Sequence, residues 1–249
     1  LLASSAASDV YKRQIYYRGP YLFLSHMGRK QGGLLLFSLK FGTFASCLTK
    51  PMQEMNQIAS VCVYCASSTK IDQIYFDAAV RLGQLLATRH IRLINGAGNI
   101  GLMRSVADAV LQNGGEVTGV IPHFMVEQGW HHTGLTELIE VDSMHERKRL
   151  MAEKSDAVIA LPGGCGTLEE LLEIITWKQL GLYLQPIVIL NTNGFFDPLL
   201  TMLDKAIDGN FMRKQHGDIW HVAHTPEEAV DLVYSIPVWD SSIRKFAAI

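Results

Sequence analysis

Residues 161–170, Leu161-Pro162-Gly163-Gly164-Cys165-Gly166-Thr167-Leu168-Glu169-Glu170, place three glycines, a hydroxyl and two carboxylates in ten positions. An uninterrupted apolar run, 157–161, precedes them and a helical pattern, 168–180, follows. Glycine lets the main chain come close to an anion, and the free amides of a helix start offer donors aligned with a favourable dipole. The stretch therefore suits a phosphate, with Gly163, Gly164, Gly166 and Thr167 as its cradle and Thr167 also capping the helix. A second reading stays open, because Thr167-Leu168-Glu169-Glu170 is also a capping box in which Glu170 bonds back to the Thr167 main chain.

Two further stretches carry chemistry. Gly96-Ala97-Gly98-Asn99-Ile100-Gly101 satisfies G-x-G-x-x-G between a strand and a helix. The acid that should follow the next strand to hold a ribose is missing: the run 117–121 leads into Pro122-His123-Phe124, Glu116 precedes it and Glu127 lies well beyond. The loop reads as a second phosphate or ribose cradle, with Gly98 meeting the substrate, and as a poor NAD site. Ser143-Met144-His145-Glu146-Arg147-Lys148-Arg149 opens another helix, with Ser143 and Glu146 as a capping box. Its three consecutive cations are accounted for either by a solvated helix face or by an anion to bind. Their place after the strand at 137–141 favours the anion.

The elements that must position these groups alternate regularly. Strands are expected at 58–65, 91–95, 116–121, 137–141, 157–161, 187–190 and 219–222, and helices at 72–89, 101–113, 143–154, 167–181, 195–208 and 226–234. Strands that are apolar on both faces, each followed by a helix, predict an α/β fold: a Rossmann-like, doubly wound parallel sheet with helices on both faces. Ligands then bind outside the carboxyl ends of the strands, where the strand order switches. The loops there are the two glycine loops and Ala66-Ser67-Ser68-Thr69, whose Ser67 is a further candidate contact.

The chain has 249 residues, 48% hydrophobic and 18% charged, which excludes a disordered or collagen-like polymer. Its 22 basic and 24 acidic side chains give a net charge of -2, but residues 1–50 carry +6 and residues 51–249 carry -8. Residues 1–14 read as a translation artefact, and 1–54 as an extension outside the fold, with Met52 or Met55 a natural start. Arg29-Lys30, the apolar residues 34–37 and Cys47 resemble an export signal; Lys40 interrupts the stretch, which is too short to span a membrane. One domain is expected over 55–235, with a tail at 236–249. An acidic body argues against nucleic acid as a partner. Cys62 and Cys65 form a C-x-x-C inside an apolar run rather than at a helix start, so reduced thiols in a cytoplasmic protein are expected. Adjacent His131-His132 cannot present two ligands from one helix face and reads as loop, and no metal is expected.

Met144-His145-Glu146-Arg147-Lys148 followed by Pro162-Gly163-Gly164-Cys165-Gly166-Thr167-Leu168-Glu169-Glu170 resembles the LOG ("lonely guy") family of cytokinin-activating phosphoribohydrolases, long labelled lysine decarboxylases. The likeness runs from about Met55 to Val233 and includes Gly101-Leu102-Met103, Gly119-Val120-Ile121-Pro122 and Ile175-Thr176-Trp177-Lys178-Gln179-Leu180-Gly181. It implies hydrolysis of the N-glycosidic bond of an adenosine 5′-monophosphate, modified at N6 or not, without a cofactor. Arg147 and Glu170 would be catalytic, Gly163, Gly164, Gly166 and Thr167 would hold the 5′-phosphate, and Lys148 would help. It also implies a homodimer through the helix at 167–181, where a partner helix completes the site, although core packing is the default account of that helix's apolar residues. The family usually has Tyr-Gly-Gly-Gly where this chain has Asn95-Gly96-Ala97-Gly98, and Gly where it has Arg104. Two rivals share the phosphate cradle: a carrier resembling the molybdenum-cofactor carriers, and a dinucleotide-dependent oxidoreductase.

Overall fold

Seven short apolar runs form strands: β1 (Ser60–Tyr64), β2 (Arg92–Asn95), β3 (Val117–Pro122), β4 (Glu137–Val141), β5 (Val158–Ala160), β6 (Ile187–Leu190) and β7 (His221–Ala223). The computed structural model describes residues 56–240 and Ser242, so the expectations for residues 1–54 and for most of the tail lie outside the described residues. Side chains alternate across a strand, and here both sides are apolar. Val61, Val63 and Cys65 enter one core while Cys62 and Tyr64 enter the other. Ile159 and Leu161 part in the same way from Val158 and Ala160. Helices must therefore cover both faces.

They do. α1 (Gln73–Thr88), α2 (Gly101–Gln112) and α7 (Pro226–Ser235) cover the first face, and α4 (Met144–Glu153), α5 (Cys165–Gln179) and α6 (Asp197–Asp208) the second. Each expected helix and strand is present, with strand ends shifted by no more than two residues. The short α3 (His123–Glu127) was not expected; it buries none of its residues, so it has no apolar stripe to reveal it.

The strand order is β4-β3-β2-β1-β5-β6-β7, all parallel. The chain winds outward from β1 to β4, returns to the other side of β1 and winds outward again to β7. The order thus switches between β1 and β5, and there the crevice of a doubly wound sheet opens. The loops around it are tied together: the Ala66 N–H donates to the Pro162 carbonyl at 3.2 Å, and the Met103 N–H to the Ala66 carbonyl at 3.2 Å. Gly101, with φ of +67°, lies so close to Ser67 that a Cβ would stand 2.4 Å from the Ser67 carbonyl carbon. Among the described residues no helix is long and apolar enough to cross a membrane.

Candidate active site

α5 buries Thr167, Glu170, Leu171, Ile174, Ile175 and Lys178, a stripe at helical spacing. Its middle is ordinary core, but its first two turns bury a hydroxyl, Thr167, and a carboxyl, Glu170. The helix begins earlier than expected. Gly164 is the N-cap and Thr167 lies inside the first turn, so neither the expected Thr167 cap nor its capping box with Glu170 forms. Thr167 packs against Gly163 instead: a Cβ there would lie 2.1 Å from the Thr167 Oγ1. Gly163 is thus needed for packing, whereas a Cβ on Gly164 or Gly166 would meet nothing within 4 Å. The first intrahelical bond at this end runs from the Leu168 N–H to the Gly164 carbonyl at 3.0 Å. The amides of Cys165, Gly166 and Thr167 lie ahead of it, where an anion at a helix start is bound.

Glu170 is one turn further in and only 8% exposed. Burial raises its pKa above the usual carboxylate value, and the Arg147 guanidinium opposes that rise. Arg147 Nη1 donates to Glu170 Oε1 at 3.3 Å, Nε to the Val120 carbonyl at 3.1 Å and Nη2 to the Gly96 carbonyl at 3.4 Å. Three acceptors from three elements hold the planar guanidinium in one orientation, which a lysine could not reproduce. α4 itself is set by its cap: the Ser143 hydroxyl accepts from the Glu146 N–H at 3.1 Å, while the Glu146 carboxylate accepts from the Asp142 N–H, one residue before the position a capping box requires.

The three consecutive cations do not form one anion site. Arg147 faces Glu170, Lys148 bonds Glu169 and Glu173, and Arg149 pairs with Glu153 on the exposed side of its own helix. Successive helical residues point about 100° apart, so adjacency in sequence separates them in space. Burial lowers the Lys148 pKa, but its bonds to Glu169 and Glu173 outweigh this and hold the ammonium above its usual value.

The other glycine loop also differs from expectation. Gly98, read as a substrate contact, sends its N–H to the Met103 sulfur at 2.9 Å, and Gly96 sends its carbonyl to Arg147. The loop thus turns a carbonyl and an N–H inward onto side chains. Ser67 is exposed in the loop after β1. Cys62 and Cys65 are buried free thiols whose pKa burial raises, and Cys165 is free and exposed. His131 and His132 lie outside the helices: His131 bridges to Gly98, and His132 Nε2 meets Asp108 Oδ1 at 2.7 Å.

Sequence reasoning missed the Val120 and Gly96 carbonyls and the Asn95 side chain, which shapes the Gly96 loop. Main-chain acceptors have no residue-type signal. Asn95 had one: an amide ending an apolar strand needs a buried partner.

Residues 103–233 match the family model described as "Possible lysine decarboxylase". A probable cytokinin riboside 5′-monophosphate phosphoribohydrolase of Oryza sativa subsp. japonica is 44% identical over 180 residues, covering 72% of this chain and 74% of that protein. A cytokinin riboside 5′-monophosphate phosphoribohydrolase of Arabidopsis thaliana is 45% identical over 186 residues, covering 74% of this chain and 82% of the relative. The structure of the molybdenum cofactor carrier protein of Chlamydomonas reinhardtii superposes with a TM-score of 0.56 at 19% identity, over 72% of this chain and 98% of that one, and so shares the fold. Neither buried lysine is placed to form a decarboxylase's Schiff base. A Schiff-base lysine must present a free amine beside the phosphate cradle. Lys148 is held by two carboxylates, and Lys178, whose pKa burial lowers to about 7, lies under Trp239 with its Nζ on the Gln185 carbonyl.

Proposed function

The chain belongs to the LOG family of phosphoribohydrolases, and we propose that it hydrolyses the N-glycosidic bond of an adenosine 5′-monophosphate, with or without an N6 substituent, to the free base and ribose 5-phosphate. The observation that carries this reading is the buried Glu170–Arg147 pair one helical turn below the open amides of Cys165, Gly166 and Thr167. The 5′-phosphate sits on those amides at the α5 N-terminus, with Gly164 and Gly166 leaving room for it and Ser67 at its edge. The ribose then reaches inward to Glu170. As the bond from the anomeric carbon to the base nitrogen breaks, positive charge builds on the sugar. The bond pair stays with the base nitrogen, while the Glu170 carboxylate stabilises the sugar's charge and takes a proton from the water that adds to the anomeric carbon; passing that proton on to the base nitrogen releases a neutral base and restores the carboxylate. Glu170 must be ionised for this, so its raised pKa sets the acid limb of the rate profile.

Arg147 fixes the carboxylate and, by its charge, keeps Glu170 ionised to lower pH than burial alone would allow. Lys148 supports the pair at one remove, neutralising Glu169 and Glu173, whose charges otherwise raise the Glu170 pKa. The domain over 55–235 carries the activity in the cytoplasm, where the free thiols of Cys62, Cys65 and Cys165 stay reduced. Small nucleotides rather than nucleic acid are its ligands, a reading supported by the pairing of Arg147, Lys148 and Arg149 each with a carboxylate. A homodimer is supported by the outer face of α5, where Leu172 and Leu180 are exposed and Cys165, Leu168, Glu169, Leu172, Thr176 and Trp177 line an open groove. Sedimentation should give twice the chain mass; a monomer at micromolar concentration contradicts that assembly. Purified protein should release adenine or an N6-substituted adenine from the monophosphate and none from the nucleoside. Equal rates on both overturn the phosphate anchor.

A further inference from the structure

The peptide joining Gly96 to Ala97 is held at both ends. Its N–H donates to the Asn95 Oδ1 at 2.9 Å, and its carbonyl accepts from Arg147 Nη2 at 3.4 Å. Asn95 ends β2 and is fully buried, and its Nδ2 donates to the Met103 carbonyl at 3.4 Å, so both halves of the amide are used. Ala97 has φ of +58°, in the left-handed region that alanine disfavours. The other non-glycine residues there, His90, Asn193 and Asn210, are exposed; Ala97 is 1% exposed. A left-handed alanine at a buried position persists only where its surroundings impose it.

Rotating the Gly96–Ala97 peptide by half a turn would carry the φ of Ala97 into the favoured negative region. The same rotation would turn the Gly96 carbonyl away from Arg147 and aim an N–H at the guanidinium. Backbone preference at Ala97 and the position of Arg147 therefore pull against each other across one peptide plane, and the Asn95 carbonyl oxygen opposes the rotation. The contact below leaves no slack: a Cβ on Gly96 would stand 1.7 Å from Arg147 Nη2. Space for Ala97 itself comes from Gly119, where a Cβ would stand 2.6 Å from the Ala97 Cβ. The Ala97 carbonyl is fastened separately by the His132 N–H at 2.8 Å, on the next peptide.

We propose that Asn95 is a positioning residue for Arg147, acting through the Gly96–Ala97 peptide whose rotation it prevents. This rests on the hydrolase reading only for its kinetic consequence. Asn95→Leu keeps the size and removes the acceptor; kcat should fall roughly 10- to 100-fold with little change in KM, as a displaced catalytic group requires. The acid limb of the kcat profile should move to higher pH, because Glu170 loses the charge that lowers its pKa. A carboxyl NMR titration of Glu170 should show the same upward shift without substrate. Asn95→Ser, whose hydroxyl can accept from the same N–H, should stay within a few-fold of the parent. Ala97→Gly added to Asn95→Leu should restore part of kcat, because glycine removes the steric reason to rotate.

Should Asn95→Leu not fold, Asn95→Ala with and without Ala97→Gly gives the same comparison. Parent-like kcat and Glu170 titration in the Asn95→Leu or Asn95→Ala protein overturn the proposal. So does a loss of kcat that leaves the Glu170 titration in place and is not relieved by Ala97→Gly, since that is a loss of fold alone. Base release absent from the parent itself would refute the hydrolase reading, while the Glu170 titration would still decide the role of Asn95.

Discussion

The two glycine loops at the carboxyl edge of the sheet look alike in sequence and do opposite things. The loop after β5 keeps the amides of Cys165, Gly166 and Thr167 ahead of the first helical bond and leaves open space beside Gly164 and Gly166. The loop after β2 spends its polar groups inward: the Gly96 carbonyl on Arg147, the Gly98 N–H on Met103 and the Ala97 N–H on Asn95. One leaves its amides open; the other builds a wall for the Arg147 guanidinium. Glycine serves both ends, in the first by leaving a ligand room and in the second by letting a guanidinium lie on bare main chain. A glycine pattern thus reports close approach without saying what approaches.

The comparison can be broken at each loop. The largest effect is expected at the point where both meet. Glu170→Gln should lower kcat by about 10³-fold, the scale of a lost general base. The same change tests the electrostatics through stability. The Glu170 pKa is raised in the folded state, so the stability linked to its proton is present at low pH and lost as pH rises through that raised value. Removing the charge should therefore leave the Tm at neutral pH equal to or above the parent's, and the difference should shrink on acidification below the ordinary glutamate range. A large fall in Tm at pH 7 would mean that the Arg147 pair outweighs burial.

Gly96→Ala strikes the inward loop. Its Cβ and Arg147 Nη2 cannot coexist, so the guanidinium must move; a drop in kcat of about 100-fold is expected. Because Arg147 lowers the Glu170 pKa, the acid limb should shift to higher pH, which a rate profile on the monophosphate would show. Gly166→Ala strikes the outward loop and should do the reverse. Its Cβ meets no protein atom within 4 Å, so Tm should hold or rise, while KM for the monophosphate rises about tenfold and kcat stays within a few-fold. If Gly166→Ala reduced kcat and Gly96→Ala raised KM, the assignment of the two loops would be reversed.

Much of this architecture was readable in advance. Runs such as 157–161 and 187–190, apolar on both faces and too short for helices, fit strands buried between helices, and β4 and β6 have the bounds their patterns implied. Arg147 and Glu170 stand out as a pair only through the family resemblance, because their place at helix starts leaves a solvated face and a capping box open. Thr167 misled because serine and threonine at a helix start usually cap it; here Gly164 takes the cap and Thr167 fills the space over Gly163. Lys148 and Arg149 misled because a run of like charges reads as one patch until the helix rotates each residue to a different neighbour.

Composition, periodicity and spacing alone determined that this chain forms a parallel doubly wound sheet with its glycine loops at the carboxyl edge, because those properties follow from local geometry and from which faces must be buried. What they left open was decided by packing across the β1–β5 switch point. Which glycine loop turns inward, which cation faces Glu170 and which peptide holds Arg147 all depend on groups 23 to 51 residues apart: Gly96 against Arg147, Val120 against Arg147, and Arg147 against Glu170. Such contacts are made by main-chain atoms, and by side chains whose neighbours exist only once the sheet has closed.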